Sequence, residues 1–280
     1  MILWNCRRTI ARLTSLLCLI GALCWAAFPI LFLGLSSFKL PKDIFAYPPR
    51  LAFTPVLINY LNLIELHREF FRALANSAII AVLATVVALG ISIPAGYVFS
   101  RYRSRFLSLA AFFTVAVRML PPMIISVPLF PILHIVGFFD RHITLVILYA
   151  TFFVSLTTWI MKAFIDTIPI ELEEAAWLDG CTRVKAITKI VLPLTLPGVM
   201  TASIFVLTYC WNEFFFAFLF TGTRSRTAPI IINELMGGFF GAEWGMVFAA
   251  CTLQLFPVLL FVLFGHRMLI TGMTIGALKG

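Results

Sequence analysis

Charge is scarce in this chain. Asp, Glu, Lys and Arg make up 12% of its 280 residues and apolar types 61%, whereas a soluble domain of this size needs roughly twice that charge to cover its surface. Histidine is scarcer still: His67, His134, His142 and His266 lie far apart, most of them near the ends of apolar runs, and form no metal-ligand spacing. The cysteines, Cys6, Cys18, Cys24, Cys181, Cys210 and Cys251, sit mostly inside apolar runs without a CxxC spacing. They indicate neither a metal site nor a disulfide framework and read as buried thiols. No glycine-rich GxxxxGK[ST] loop occurs, so the chain is not expected to hydrolyse ATP by itself. No paired carboxylates and no His/Asp/Ser constellation stand out, and neither a catalytic residue nor a cofactor is expected.

What is plentiful is uncharged length. A helix needs about 20 mostly apolar residues to span a bilayer, and runs free of Asp, Glu, Lys and Arg cover 13–38, 73–100, 119–139, 142–161, 190–212 and 244–266. The reading is an all-α integral membrane protein with six transmembrane helices in a single domain, 1–280. The formal charge of +9 could point to nucleic acid, but the basic residues sit singly or in small groups at the ends of apolar runs. That placement sets membrane orientation, so the expected partner is the lipid bilayer and not nucleic acid. Arg7, Arg8 and Arg12 resemble the start of a signal peptide, yet the run that follows is too long and lacks a small-x-small cleavage pattern. A retained anchor helix is predicted over about 13–36.

Residues 37–72 carry Pro41, Pro48, Pro49 and Pro55 with charges from Lys39 to Arg72, and read as an external segment. Leu63, Leu66, Phe70 and Leu74 recur at helical spacing, which predicts a short amphipathic helix near 57–72. Core helices then occupy 73–266. The second span (73–99) ends at Arg101, Arg103 and Arg105. The third (107–133) contains Pro121, Pro122, Pro128 and Pro131 and is expected to be kinked or broken, as irregular backbone is tolerated only where protein or a wet cavity satisfies it. The fourth covers 143–164, the fifth 194–220 and the sixth 244–266, and a C-terminal tail occupies 267–280. With the N-terminus inside, inner segments hold twelve basic residues and outer segments eight. The asymmetry places both termini in the cytoplasm.

The polar stretch 165–191 is the most informative. Pro169 suits a first helical position, and Glu171, Glu173 and Glu174 complement the positive end of a helix dipole. Gly180 can take the left-handed conformation that stops this helix. Thr182 can cap a second one, with Val184, Ile187 and Val191 on one face and Pro193 closing it. The result is a helix–turn–helix in which Ala175 and Ala176 permit close approach beside an acidic face. A helix lying on the membrane is the alternative, but the negative cytoplasmic leaflet repels acidic residues.

Glu174-Ala175-Ala176, three residues, Gly180, nine residues and Ile190-x-Leu192-Pro193 together resemble the EAA loop of ABC-importer permeases at every signature position. Asn76-Ser77, Tyr97, Leu120-Pro121, Pro128-Leu129, Trp211-Asn212-Glu213-Phe214 and the ending from Gly272 to Gly280 are similar to carbohydrate-uptake permeases, in particular the second, shorter permease of maltose-type systems. The resemblance implies the type I ABC-importer architecture in a bacterial cytoplasmic membrane. It also implies a homologous second permease forming a heterodimer, two ATP-binding subunits that bind the ATP, and an extracytoplasmic solute-binding protein. It gives Glu174, Ala175, Ala176, Asp179 and Gly180 the role of coupling to the ATPase. The expected cargo is a sugar or sugar-like solute, with a glycerol phosphate ester or polyol as the alternative.

Two charges interrupt apolar runs, and an intramembrane charge must face a cavity or a partner. Glu213, with Asn212, either bonds between helices or faces the solute. Arg118 can snorkel to an interface, pair with Glu213, or meet an anionic solute. Arg118, Asn212, Glu213, Trp211 and Asn76 are the candidate residues of the translocation path. An ion-coupled secondary transporter or channel using Glu213 and Arg118 as a relay is the alternative of another class, though it leaves the EAA-like loop unexplained.

Overall fold

The computed structural model describes residues 2–50, 52–237 and 241–277, and these form helices with no strand among them. In chain order the helices are α1 (Ile2–Ser36), α2 (Pro41–Ile44), α3 (Ile58–Leu66), α4 (Arg68–Arg101), α5 (Arg105–Arg118), α6 (Pro122–Ile135), α7 (His142–Ile165), α8 (Glu171–Leu178), α9 (Arg183–Ala186), a π-helical turn Ile187–Val191, α10 (Leu192–Leu194), α11 (Leu196–Asn212), α12 (Phe215–Phe220), α13 (Ala228–Met236) and α14 (Trp244–Ala277). Four are long and apolar enough to cross a membrane: Arg12–Ser36, Arg68–Arg101, His142–Ile165 and Trp244–Leu263. Two bent pairs raise the count to six, Arg105–Arg118 with Pro122–Ile135 at 89° and Arg183–Leu194 with Leu196–Asn212 at 72°.

The third span breaks where its prolines dictate. Pro121 and Pro122 donate no backbone hydrogen bond, and Pro121 keeps Leu120 out of the helical region. Pro128 and Pro131 stay inside α6. The fifth span is not the continuous helix expected over 194–220: α11 stops at Asn212 and a short α12 restarts at Phe215. Pro193 does not close the helix that precedes it: after the π-helical turn the helical run continues through it to Leu194, the bend falls at Thr195, and Pro197 opens α11. The sixth helix runs on to Ala277 in place of the tail expected from 267, and residues 278–280 of that tail lie outside the described residues.

The chain has two compact units, Met1–Phe70 with Ile232–Leu255, and Phe71–Ile231 with Phe256–Gly280. In the first, the helix near 57–72 is interrupted at His67, which separates α3 from α4. Asn59 is buried and donates from Nδ2 to the carbonyls of Ser37 and Lys39, both at 2.8 Å, so it holds the chain leaving α1. A Cβ at Gly245 would lie 2.2 Å from Asn59 Oδ1, which is why α14 presents glycine there.

The second unit is built on α4 against α7. Ala84, Ala88, Ser92 and Gly96 recur every fourth residue and form a stripe of small side chains, which lets two helices approach closely in a bilayer. Ala84 and Ala88 are fully buried in a core with Val146, Tyr149, Ala150 and Phe153. Ser92 Oγ bonds Thr157 Oγ1 and, at 3.2 Å, the carbonyl of Val154. At Gly96 the backbones all but touch: an added Cβ would meet Met161 Cβ at 2.8 Å and Lys162 N at 3.0 Å.

Candidate functional site

The EAA-like loop folds into two short helices joined by a tight turn. α8 spans Glu171–Leu178, with Pro169 just before its N-cap, Ile170. Gly180 has φ +83°, in the left-handed region; Gly180 N–H donates to Trp177 O and Cys181 N–H to Ala176 O, which satisfies carbonyls the helix end would leave bare. Thr182 caps α9, its side chain accepting from Lys185 N–H at 3.4 Å.

α8 has two unlike faces. Glu173 and Ala176, three residues apart, point inward; Glu173 is fully buried and Ala176 nearly so. Glu174, Ala175, Asp179 and Gly180 are exposed, as is Leu178 at 89%. Of the five residues assigned to coupling by resemblance, four therefore share the open face, and Ala176 packs inside the chain. Sequence reasoning did not single out Glu173. Its carboxylate accepts from Tyr97 Oη at 2.6 Å and from Arg101 Nε at 2.7 Å, an ion pair between α8 and the last turn of α4. The signal was the i, i+3 spacing of Glu173 and Ala176, which sets both on one helical face.

The candidate path residues each have their own bonding partners. Glu213 accepts from Tyr149 Oη at 2.6 Å and from the N–H groups of Phe216 (2.9 Å) and Ala217 (3.2 Å). It thus caps α12 and bonds α7 as well, which accounts for both the break after Asn212 and a carboxylate inside an apolar stretch. Arg118 is half-buried at the corner of the broken third span, and its side chain makes no hydrogen bond or ion pair among the described residues; it does not pair with Glu213. Asn212 is exposed, and its Nδ2 donates to Thr208 O at 2.8 Å. Trp211 is buried, its ring edge-on to Phe261.

Asn76 lies at the opposite end of α4 from the EAA-like loop. Its Nδ2 donates to the carbonyls of Arg224 (3.0 Å) and Arg226 (2.9 Å), and its Oδ1 lies 2.8 Å from His142 Nε2. Ser77 Oγ accepts from Ala228 N–H at 3.0 Å. The same loop is gripped from the other side by Asp140, whose carboxylate accepts from the N–H groups of Thr223 (2.9 Å), Arg224 (3.0 Å) and Ser225 (3.0 Å) and from Ser225 Oγ (2.9 Å). Burial alone would push the Asp140 carboxyl up, but the backbone N–H groups of Gly222 to Ser225 outweigh it and hold the group well below the ordinary carboxylate range.

Comparison with known proteins defines the class. Residues 88–274 match the family described as "Binding-protein-dependent transport system inner membrane component". The chain belongs to that family and is a multi-pass transmembrane permease subunit of an ABC importer. It is 32% identical over 273 residues to the trehalose/maltose transport system permease protein MalG of Thermococcus litoralis, covering 96% of this chain and 98% of that one. It is 31% identical over 258 residues to the sulfoquinovosyl glycerol transport system permease protein SmoH of Agrobacterium fabrum, covering 90% and 89%. Among solved structures, a bacterial ABC transporter involved in the import of the acidic polysaccharide alginate aligns with TM-score 0.77 and 20% identity, over 93% of this chain and 96% of that one. At that identity the likeness is one of fold. Family membership overturns the alternative of an ion-coupled secondary transporter.

Proposed function

We propose that this permease imports a sugar or sugar-like solute, forming half of the path beside a homologous second permease. Two ATP-binding subunits drive the cycle and an extracytoplasmic binding protein delivers the solute. Both termini lie in the cytoplasm. The observation that carries the coupling role is the division of α8: an inner face bonded to the chain, and an outer face that leaves Glu174, Ala175, Leu178, Asp179 and Gly180 uncovered. An exposed leucine flanked by carboxylates suits an apolar cleft rimmed by basic residues, which is the chemistry expected of the ATPase surface. ATP-driven closure of the ATPase pair then moves α8 and switches the path between its two openings. The sugar assignment rests on the names of the relatives, several of which are sugar-system permeases. Asn212, exposed on a core helix with an amide oxygen that makes no hydrogen bond among the described residues, is the residue best suited to a sugar hydroxyl.

The test is Leu178→Ser. It leaves the inner face intact, so membrane levels should hold while co-purification of the ATP-binding subunit and solute uptake are lost; full co-purification would refute the docking role. Arg118 supports an anionic sugar as a second reading, because it is a cation at the corner of a broken span with no ion partner among the described residues. Arg118→Gln should then impair uptake of an anionic sugar and spare a neutral one. Equal uptake of the anionic sugar by the variant would leave the neutral carbohydrate.

A further inference from the structure

The end of α4, from Tyr97 to Arg101, and Tyr102 just beyond it bond to the coupling segment before, within and after α8. Ser100 Oγ donates to Asp166 Oδ1 at 2.6 Å, before α8. Arg101 Nη2 donates to Ile168 O at 2.9 Å, and Arg101 Nε and Tyr97 Oη both donate to buried Glu173 within α8. Tyr102 Oη accepts from Arg183 Nη1 at 2.7 Å, after α8. A hydrogen bond to a charged group in a site closed to water is short and directional, and several of them on one turn leave the coupling segment little freedom to move without α4.

The other end of α4 is bonded with equal density. Asn76 and Ser77 hold the carbonyls of Arg224 and Arg226 and the N–H of Ala228, and Asp140 holds the N–H groups between them. From Ser77 to Tyr97 the helix is unbroken, a rod about 30 Å long at 1.5 Å per residue. Pro94 lies near its coupling end, yet the Ser92–Thr157 bond and the Gly96–Met161 contact brace that stretch against α7. Side-chain ties at both ends of a rigid element are what mechanical coupling across a bilayer requires.

We propose that α4 is the strut that carries the displacement of the coupling helix to the loop 222–228 at the far end, with Tyr97, Arg101 and Glu173 as positioning residues at one end and Asn76, Ser77 and Asp140 at the other. The proposal rests on α8 being the helix that docks on the ATPase. Movement of α8 pulls Glu173, Glu173 pulls the last turn of α4, and the Asn76 end shifts the loop that Asp140 and Asn76 share. The loop therefore reports nucleotide state without touching nucleotide.

The experiment places a reporter in the loop. Thr223 is exposed, so Thr223→Cys is introduced, and its labelling by a membrane-impermeant maleimide is followed in the complete transporter in proteoliposomes, with and without ATP. The chain lacking the new cysteine supplies the background. The labelling rate should differ between the two nucleotide states. Adding Arg101→Met should abolish that difference while the ATP-binding subunit still co-purifies, and Asn76→Ala should do the same from the other end. The double variant should be no worse than either single one, since one linkage has been cut twice. Tyr97→Phe removes a single bond and serves if Arg101→Met fails to assemble; it should reduce the difference.

A nucleotide response of full size in Arg101→Met or in Asn76→Ala would overturn the proposal, as would a loop whose labelling ignores ATP in the parent. Loss of the ATP-binding subunit from both Arg101→Met and Tyr97→Phe would also overturn it, showing that this turn serves docking. Failure of the docking reading is separate: it appears as a Leu178→Ser chain that retains the ATP-binding subunit.

Discussion

Two glycines on α4 offer a controlled comparison of packing against propensity. A Cβ at Gly96 would sit 2.8 Å from Met161 Cβ, 3.0 Å from Lys162 N and 3.1 Å from Thr158 O, whereas at Gly90 nothing lies within 4 Å. Two of the Gly96 neighbours are backbone atoms, so no side-chain rotation relieves the clash and the α4–α7 crossing itself must open. Overpacking of this kind costs about 1–3 kcal/mol. Alanine in place of glycine gains about 0.8–1.0 kcal/mol of helix propensity at either site. Gly90→Ala should therefore be neutral or slightly stabilising, while Gly96→Ala should lose up to about 2 kcal/mol net. Widening the crossing also pulls Ser92 from Thr157, so the loss should sit at the upper end. Apparent melting of the purified chain in detergent, followed by fluorescence-detected gel filtration, ranks the variants as Gly90→Ala, wild type, Gly96→Ala. Gly96→Ala melting with or above wild type would refute the claim that backbone contact sets this crossing.

At Gly180, where φ is +83° and an added Cβ would find open space, only backbone conformation opposes substitution. Gly180→Val should cost about 1–2 kcal/mol at the turn and largely abolish uptake, while Gly180→Asn, which tolerates the left-handed region, should retain most of it; equal uptake by the two would show that conformation is not what glycine supplies. Asp140 makes a prediction about pH. Its folded-state carboxyl is held below the ordinary value of 3.8, so its stabilisation is present above that value and is lost only as pH falls through the lower one. Asp140→Asn should lower stability by about 1–3 kcal/mol, and the melting gap to wild type should be the same at about pH 7 and about pH 5. A gap that closes by the lower pH would refute the backbone cradle.

The membrane class, the spans and the helix–turn–helix of the EAA-like loop were legible because each depends on local information. An uncharged run of sufficient length crosses a bilayer whatever it packs against, Pro121-Pro122 breaks a helix by its own chemistry, and a glycine after an acidic helix predicts the left-handed turn found at Gly180. Periodicity also showed that α8 has faces, but not which face the chain would bury: Ala176 stood beside Ala175 in the motif, and packing put one inside and left the other exposed. The stripe Ala84, Ala88, Ser92, Gly96 was present as a spacing, yet a stripe of small residues does not name its partner helix.

The bonding partners of single polar residues were decided by tertiary structure alone. Glu213 reads in sequence as a buried charge in search of a partner; Tyr149, 64 positions away, and the start of α12 make it a cap. Asn76 reads as a path residue, and its partners Arg224 and Arg226 lie 148 and 150 positions distant. Glu173 was one acid among three until burial against Tyr97 and Arg101 set it apart. Hydropathy and turn chemistry act between neighbours in the chain and so can be read along it. Satisfying a buried polar atom depends on which distant group the fold brings within 3 Å or so, and that is determined only when the helices pack.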